Sequence, residues 1–171
     1  MKHLLVLGVG NLLLTDEGVG VHAVQDLAQE SWPTEAVDFL DGGTFTQDIF
    51  YLFQNYHHIL VLDVVHGGKP PGTIYRLTEH ELRHSDSQRL SIHDIDLLDS
   101  LQMAELLGNR PQLTVLGIEP LCISQWSMEL TPTLKAAYPA YLEAARREIR
   151  AILHIAPPAS PADAGSVVTS Q

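Results

Sequence analysis

Three nearly unbroken apolar runs set the terms for this chain: "HLLVLGV" at 3–9, "HHILVLDVV" at 57–65 and "QLTVLGIEP" at 112–120. Each has strand length and lacks the polar alternation of a strand with one wet face. Strands of that kind are covered on both faces, as in parallel sheets flanked by helices. "VDFLDGG" (37–43) adds another strand and its exit turn. Between the strands, Val19, Val21, Val24, Leu27 and Ala28 recur at helical spacing over 17–29. Leu97, Leu98, Leu101, Ala104 and Leu107 do the same over 93–107, and 45–54 reads as a short helix. "TIYRL" (73–77) follows "HGGKPPG" too closely for a crossover, so it is expected to pair antiparallel or to lie at an edge. Thr131 caps a helix with Pro132 at its first position. That helix is expected to reach about Leu153 and to kink at Pro139. The pattern predicts a three-layer α/β/α fold with a mostly parallel twisted sheet and one short antiparallel strand, over residues 1–155. "APPASPADAGSVVTSQ" (156–171) has no periodicity and is expected to be a disordered tail.

Charge narrows the partners. Ten Lys+Arg stand against 21 Asp+Glu, for a formal charge of −11. Such a chain does not suit nucleic acid or an anionic membrane surface. A metal, a cationic ligand or a protein surface fits better, and a monomer is the expected state. The single cysteine, Cys122, allows neither an internal disulfide nor a cysteine zinc cluster, and is expected to be an inert core thiol. Lys2 and His3 precede an apolar run that loosely resembles a leader, but no small-residue cleavage site follows. No apolar stretch approaches the ~18 residues that span a bilayer. These readings predict a soluble cytoplasmic protein without a membrane partner.

Several stretches could carry chemistry. Gly8 and Gly10 match the first two glycines of a dinucleotide-binding turn, and Asp41 ends the second strand where a ribose-binding acid would sit. The third glycine position is Leu13, however, and acids open the following helix, so a nucleotide is not favoured. "HELRH" (80–84) is a literal H-E-x-x-H, which on a helix would set His80 and His84 on one zinc with Glu81 polarising a water. Its neighbours are polar almost all round, so a surface coincidence is expected. A dispersed set is more suggestive. Glu17 follows the first strand and Asp63 ends the third, both at the carboxyl edge of the sheet, where α/β proteins bind ligands. Taken singly, Asp63 could be a buried acid bonded to backbone N–H groups, and Glu17 a first-turn helix acid. A histidine would complete an O,O,N set suited to zinc or nickel, and His66 and His93 are both candidates.

At "VLGVGNLLLTDEGVG" (6–20) the chain resembles the nickel-iron hydrogenase maturation endopeptidases. "DGGT" (41–44), the acid of "LVLDVV", "PGT" (71–73), "SIH" (91–93), "LGIEP" (116–120) and "LTPTL" (130–134) extend the resemblance over roughly residues 2–153. It implies an endopeptidase that removes a C-terminal extension from a hydrogenase large-subunit precursor once nickel is inserted. Glu17, Asp63 and His93 are the implied metal-binding and catalytic set. Nickel would come with the substrate, and no organic cofactor is implied. On this resemblance the glycine turn positions Glu17 for a metal, His66 is demoted, and "HELRH" falls in a variable connecting segment. A zincin built on "HELRH", a non-cleaving nickel metallochaperone and a nucleotide-binding protein are the rival readings.

Overall fold

A computed structural model describes residues 1–44, 49–84 and 94–158. The strands are β1 (Lys2–Gly8), β2 (Val37–Asp41), β3 (Tyr56–Val64), β4 (Ile74–Thr78) and β5 (Gln112–Ile118). They form one sheet in the order β2-β1-β3-β5-β4. The first four pair parallel, and β4 runs antiparallel along β5 at the edge. The helices are α1 (Val19–Ala28), the single turn α2 (Phe50–Phe53), α3 (Glu79–His84), α4 (Asp94–Leu106) and α5 (Pro132–Leu153).

The apolar runs are buried on both faces, as expected. Leu4, Val6, Leu60, Leu62 and Leu116 pack with α1 and α5 on one side. Leu5, Leu7, Ile59, Val61 and Val115 pack with Leu97, Leu101 and Ala104 of α4 on the other. Each such side chain contributes roughly 1.5–3 kcal/mol by leaving water. Helix α5 is capped as its sequence predicts: the Thr131 hydroxyl accepts from the Leu134 N–H at 3.4 Å, and Pro132 opens the first turn. It continues as one helix through Pro139 and ends at His154 in the left-handed conformation. The buried Tyr141 hydroxyl ties it to the Leu116 carbonyl at 2.6 Å.

Strand order places the site. From β1 the chain moves outward to β2, then returns across β1 to β3. The order therefore reverses between β1 and β3, and the crevice beyond their carboxyl ends is the switch point where open α/β sheets bind ligands. Helix α4 opens at that same edge and returns to the opposite one, where Asn109 Nδ2 donates to the Gln54 and Tyr56 carbonyls at 3.0 and 2.9 Å. Among the described residues no helix is long and apolar enough to cross a membrane.

Two expectations shift. The helix read over 17–29 is a 3₁₀ turn at Thr15–Gly18 followed by α1. Of the short helix read over 45–54, residues 49–53 are helical among the described residues, 49 as 3₁₀ and 50–53 as α2, and 45–48 lie outside them. Residues 156–158 are exposed and carry no helix or strand, while 159–171 of the expected tail lie outside the described residues.

Candidate active site

The turn after β1 is built around close backbone approach. Gly10 has φ +142°, and a Cβ there would collide with the Glu17 carbonyl. A Cβ on Gly20 would collide with the Leu62 carbonyl, so only glycine lets α1 start this close to β3. Leu62 precedes Asp63, and Gly20 lies one turn beyond Glu17. The glycines thus bring the 3₁₀ turn against the end of β3. Val9 N–H donates to the Leu62 carbonyl at 2.9 Å, and Gly10 N–H to the Gly43 carbonyl at 2.7 Å, which draws in the 41–44 turn.

The adjacent acids divide. Asp16 is fully buried and accepts four hydrogen bonds. Its Oδ2 takes the Leu121 and Cys122 N–H groups at 2.9 and 3.0 Å and the Thr131 hydroxyl at 2.9 Å. Its Oδ1 takes the Thr131 N–H at 2.8 Å. It therefore holds the 119–131 loop and the N-terminus of α5 against the 3₁₀ turn. Thr15 precedes it with φ +55°, a left-handed conformation rare for a β-branched residue. Hydrogen bonds hold it there, from its N–H to the Ser127 carbonyl at 2.9 Å and from its hydroxyl to the Gln125 carbonyl at 2.5 Å.

Glu17 and Asp63 lie at the β1/β3 crevice, as expected, but neither is on an open edge. Glu17 is 6% exposed and Asp63 0%. Asp63 Oδ1 accepts from the Val64 N–H at 2.8 Å, so the buried-acid reading of this residue is met as well. Their strand-end position supplies the convergence, and the packed 3₁₀ turn supplies the burial. His93, the third expected member, lies outside the described residues, with α4 beginning at Asp94. His66 sits half-buried two residues beyond β3 at this edge. Among the described residues, no group of three His, Cys, Asp or Glu side chains is placed to hold a metal ion.

One acid at this edge escaped the sequence reading. Glu119, 8% exposed just past β5, accepts from the Gly67 and Gly68 N–H groups at 2.9 and 3.0 Å and from the Tyr75 hydroxyl at 3.3 Å. It fixes the turn that follows Asp63 and carries His66. The signal was present: "LGIEP" ends an apolar strand in an acid, as "LVLDVV" does.

The other expectations resolve individually. Asp41 is exposed and closes its own turn, with Oδ1 accepting from the Gly43 N–H at 2.9 Å. Cys122 is not in the core: it is half-exposed on the 119–131 loop, and amides of Ser124 and Gln125 pull its thiol below the ordinary value. "HELRH" lies on a short helix, with Leu82 buried against the α4-side core. The helix follows Thr78, which pairs with Thr114, whereas Asp63 pairs with Gly117. Three residues of strand separate those positions, about 10 Å. Glu81 is turned to the Thr78 hydroxyl, and His84 Nδ1 lies 2.8 Å from the His80 carbonyl. The motif and the acid pair are therefore separate sites at opposite ends of the sheet.

Fold and site together define a three-layer α/β protein with buried acids at the switch point of its sheet. The family model described as hydrogenase maturation protease matches residues 21–148. The hydrogenase 2 maturation protease of Escherichia coli K12 is 35% identical over 142 residues, covering 82% of this chain and 86% of that protein. The hydrogenase expression/formation protein HupD of Rhizobium leguminosarum bv. viciae is 32% identical over 149 residues, covering 86% and 74%. Among solved structures, the hydrogenase maturating endopeptidase HybD from Escherichia coli superposes with a TM-score of 0.77 at 33% identity, covering 88% of this chain and 93% of that one. The chain belongs to the hydrogenase maturation protease family, and it is a peptide-bond hydrolase.

Proposed function

We propose that this protease removes the C-terminal extension of a nickel-iron hydrogenase large-subunit precursor in the cytoplasm, acting as a monomer on precursor already loaded with nickel. Glu17, Asp63 and His93 are the groups that meet the substrate's nickel. The supporting observation is the placement of two buried carboxylates, Glu17 and Asp63, at the β1/β3 switch point. Two carboxylate oxygens suit a borderline divalent ion when an imidazole joins them. A dication brought there also offsets the cost of burying two anionic groups. When bound, such an ion polarises a carbonyl or lowers the pKa of a water. The chain's own contribution is to hold the two carboxylates at fixed positions on the strand end and to dock the cleavable segment beside them.

Nickel recognition would then act as a check on the substrate's maturity. The test compares nickel-loaded and metal-free precursor under identical conditions, with a chelator removing free ions and mass spectrometry reading the released peptide. A discrete C-terminal peptide from the loaded precursor alone is expected. Equal cleavage of both would sink the gating role, and nickel binding without any product peptide would make the protein a metallochaperone instead.

A further inference from the structure

Most large apolar side chains of this protein are covered, and a group of exceptions gathers beside the candidate site. Leu13 is 49% exposed, Leu121 55%, Trp126 77% and Met128 61%. Leu13 belongs to the turn after β1, and the others to the loop that follows β5. Backbone pairing brings the two segments together. Leu14 and Ser127 form a parallel bridge, the Ser127 N–H donates to the Leu13 carbonyl at 3.0 Å, and the Thr15 N–H donates to the Ser127 carbonyl at 2.9 Å. Leu14 and Ser127 are half-buried, whereas Leu13, Trp126 and Met128, which flank them in sequence, are exposed along this ledge. Leu121 joins through its N–H, which is bonded to Asp16. Pinned backbone on both sides keeps these side chains outward.

Resting on the reading of the Glu17/Asp63 edge as the cutting site, we propose that Leu13, Leu121, Trp126 and Met128 dock an apolar segment of the substrate polypeptide flanking the cleaved bond. Continuity favours this occupant. The ledge is continuous with the turn that carries Glu17: Leu13 lies four residues before Glu17 in that turn, and the Leu121 and Cys122 N–H groups bond to the adjacent Asp16. Charge argues against a second copy of the chain, because two molecules of formal charge −11 repel each other. The chemistry also fits: an exposed tryptophan supplies a large rigid anchor, and methionine adapts to varied apolar partners. Docking on the ledge gives the substrate an anchorage separate from its nickel.

Steady-state cleavage of nickel-loaded precursor tests this. Trp126→Ala should raise KM at least tenfold with kcat within about twofold, as expected for lost ground-state binding. Trp126→Phe should restore most of the loss. Circular dichroism should not change, and should Trp126→Ala misfold, the Leu121→Ser/Met128→Ser double variant carries the same expectation. The chain has two tryptophans, so a Trp32→Phe background leaves Trp126 as the reporter. Its emission should shift to shorter wavelength when precursor is added. An unchanged KM with a silent Trp126 would overturn docking while leaving the protease reading intact. A shifted Trp126 without any cleavage would keep docking and remove the protease reading. A dimer in sedimentation that Trp126→Ala dissolves would identify a second copy as the occupant, against the proposal. So would exposure of Trp126 to quencher on deletion of residues 159–171, which would assign the ledge to that segment.

Discussion

Replacing Asp16 should unseat the frame of the site before it touches the chemistry. Its carboxylate accepts three backbone N–H groups and one hydroxyl, from Leu121, Cys122 and Thr131, at 2.8–3.0 Å. Hydrogen bonds to a charged acceptor contribute about 1.5–3 kcal/mol each, but such values are not additive within one network. Leu121 is exposed and Thr131 half-buried, so water can reach part of what Asp16→Ala leaves unpaired. A net loss of about 4 kcal/mol follows. For a chain of this length that lowers Tm by about 8–16 °C. Asp16→Asn separates geometry from charge. Its amide oxygen can replace Oδ2 and keep three of the four bonds, while its NH2 then faces the Thr131 N–H, donor against donor. About half the loss of the alanine variant is expected, roughly 2 kcal/mol.

Calorimetry reads the global effect, and amide hydrogen exchange reads its location. Exchange at Leu121, Cys122 and Thr131 should accelerate in Asp16→Ala, while amides of β1 and β3 keep their relative protection. Cleavage should fall in Asp16→Asn at temperatures where it remains folded, because Glu17 shares the displaced 3₁₀ turn. A Tm within about 3 °C of wild type for Asp16→Ala, with unchanged exchange in the loop, would refute the assignment of Asp16 as the clasp of this site.

Glu17→Gln and Asp63→Asn should lower cleavage by several orders of magnitude with little change in Tm. Isosteric amides are needed because both acids are buried and alanine would open space. His93→Ala should do the same while His66→Ala leaves activity, and the reverse pattern in the cleavage assay would reassign the histidine. The His80→Ala/His84→Ala double variant should retain cleavage; loss of activity together with loss of bound zinc by metal analysis would establish a zincin site. Burial, only partly offset by Glu148, pulls the His58 imidazole below its ordinary 6.5, and Arg76 adds to that. The unfolded chain takes up this proton first as pH falls below 6.5, so stability is lost in that direction and is full above it. Denaturant titrations of His58→Gln, which can still bond the Thr114 hydroxyl, should show a shallower acid-side decline.

Local pattern was enough for the sheet, because both-face burial marks β1, β3 and β5 directly. The antiparallel β4 followed from a connection too short to cross over, and the cap of α5 from Thr131 and Pro132. Strand order was not legible. Nothing in a window of residues says that β3 returns across β1, yet that reversal turns two strand-end acids into one crevice. The burial of Glu17 was missed for a related reason. The 3₁₀ turn that carries it is packed in place by the 119–131 loop, through contacts that link Asp16 to residues 105 to 115 positions away. The α3 helix carries no periodic signal, because its six residues bury a single leucine.

The two acids in "TDEGVG" therefore have different tasks, and the turn geometry explains how neighbours can. A 3₁₀ turn advances about three residues per revolution, so consecutive side chains diverge by about 120°. Asp16 turns toward the 119–131 loop and α5, and Glu17 leaves in another direction beside the end of β3. The left-handed backbone at Thr15 sets the phase of that turn, and a bond to the Gln125 carbonyl from the same residue keeps it there. Glu119 repeats the device on the other side of the crevice, with a buried carboxylate capping the turn that follows Asp63. The segments that carry Glu17 and Asp63 are thus each clamped by a buried acid bonded mainly to backbone donors. Such an arrangement restricts the motion of both carboxylates through the backbone that carries them, which suits the proposed meeting with a metal-bearing substrate.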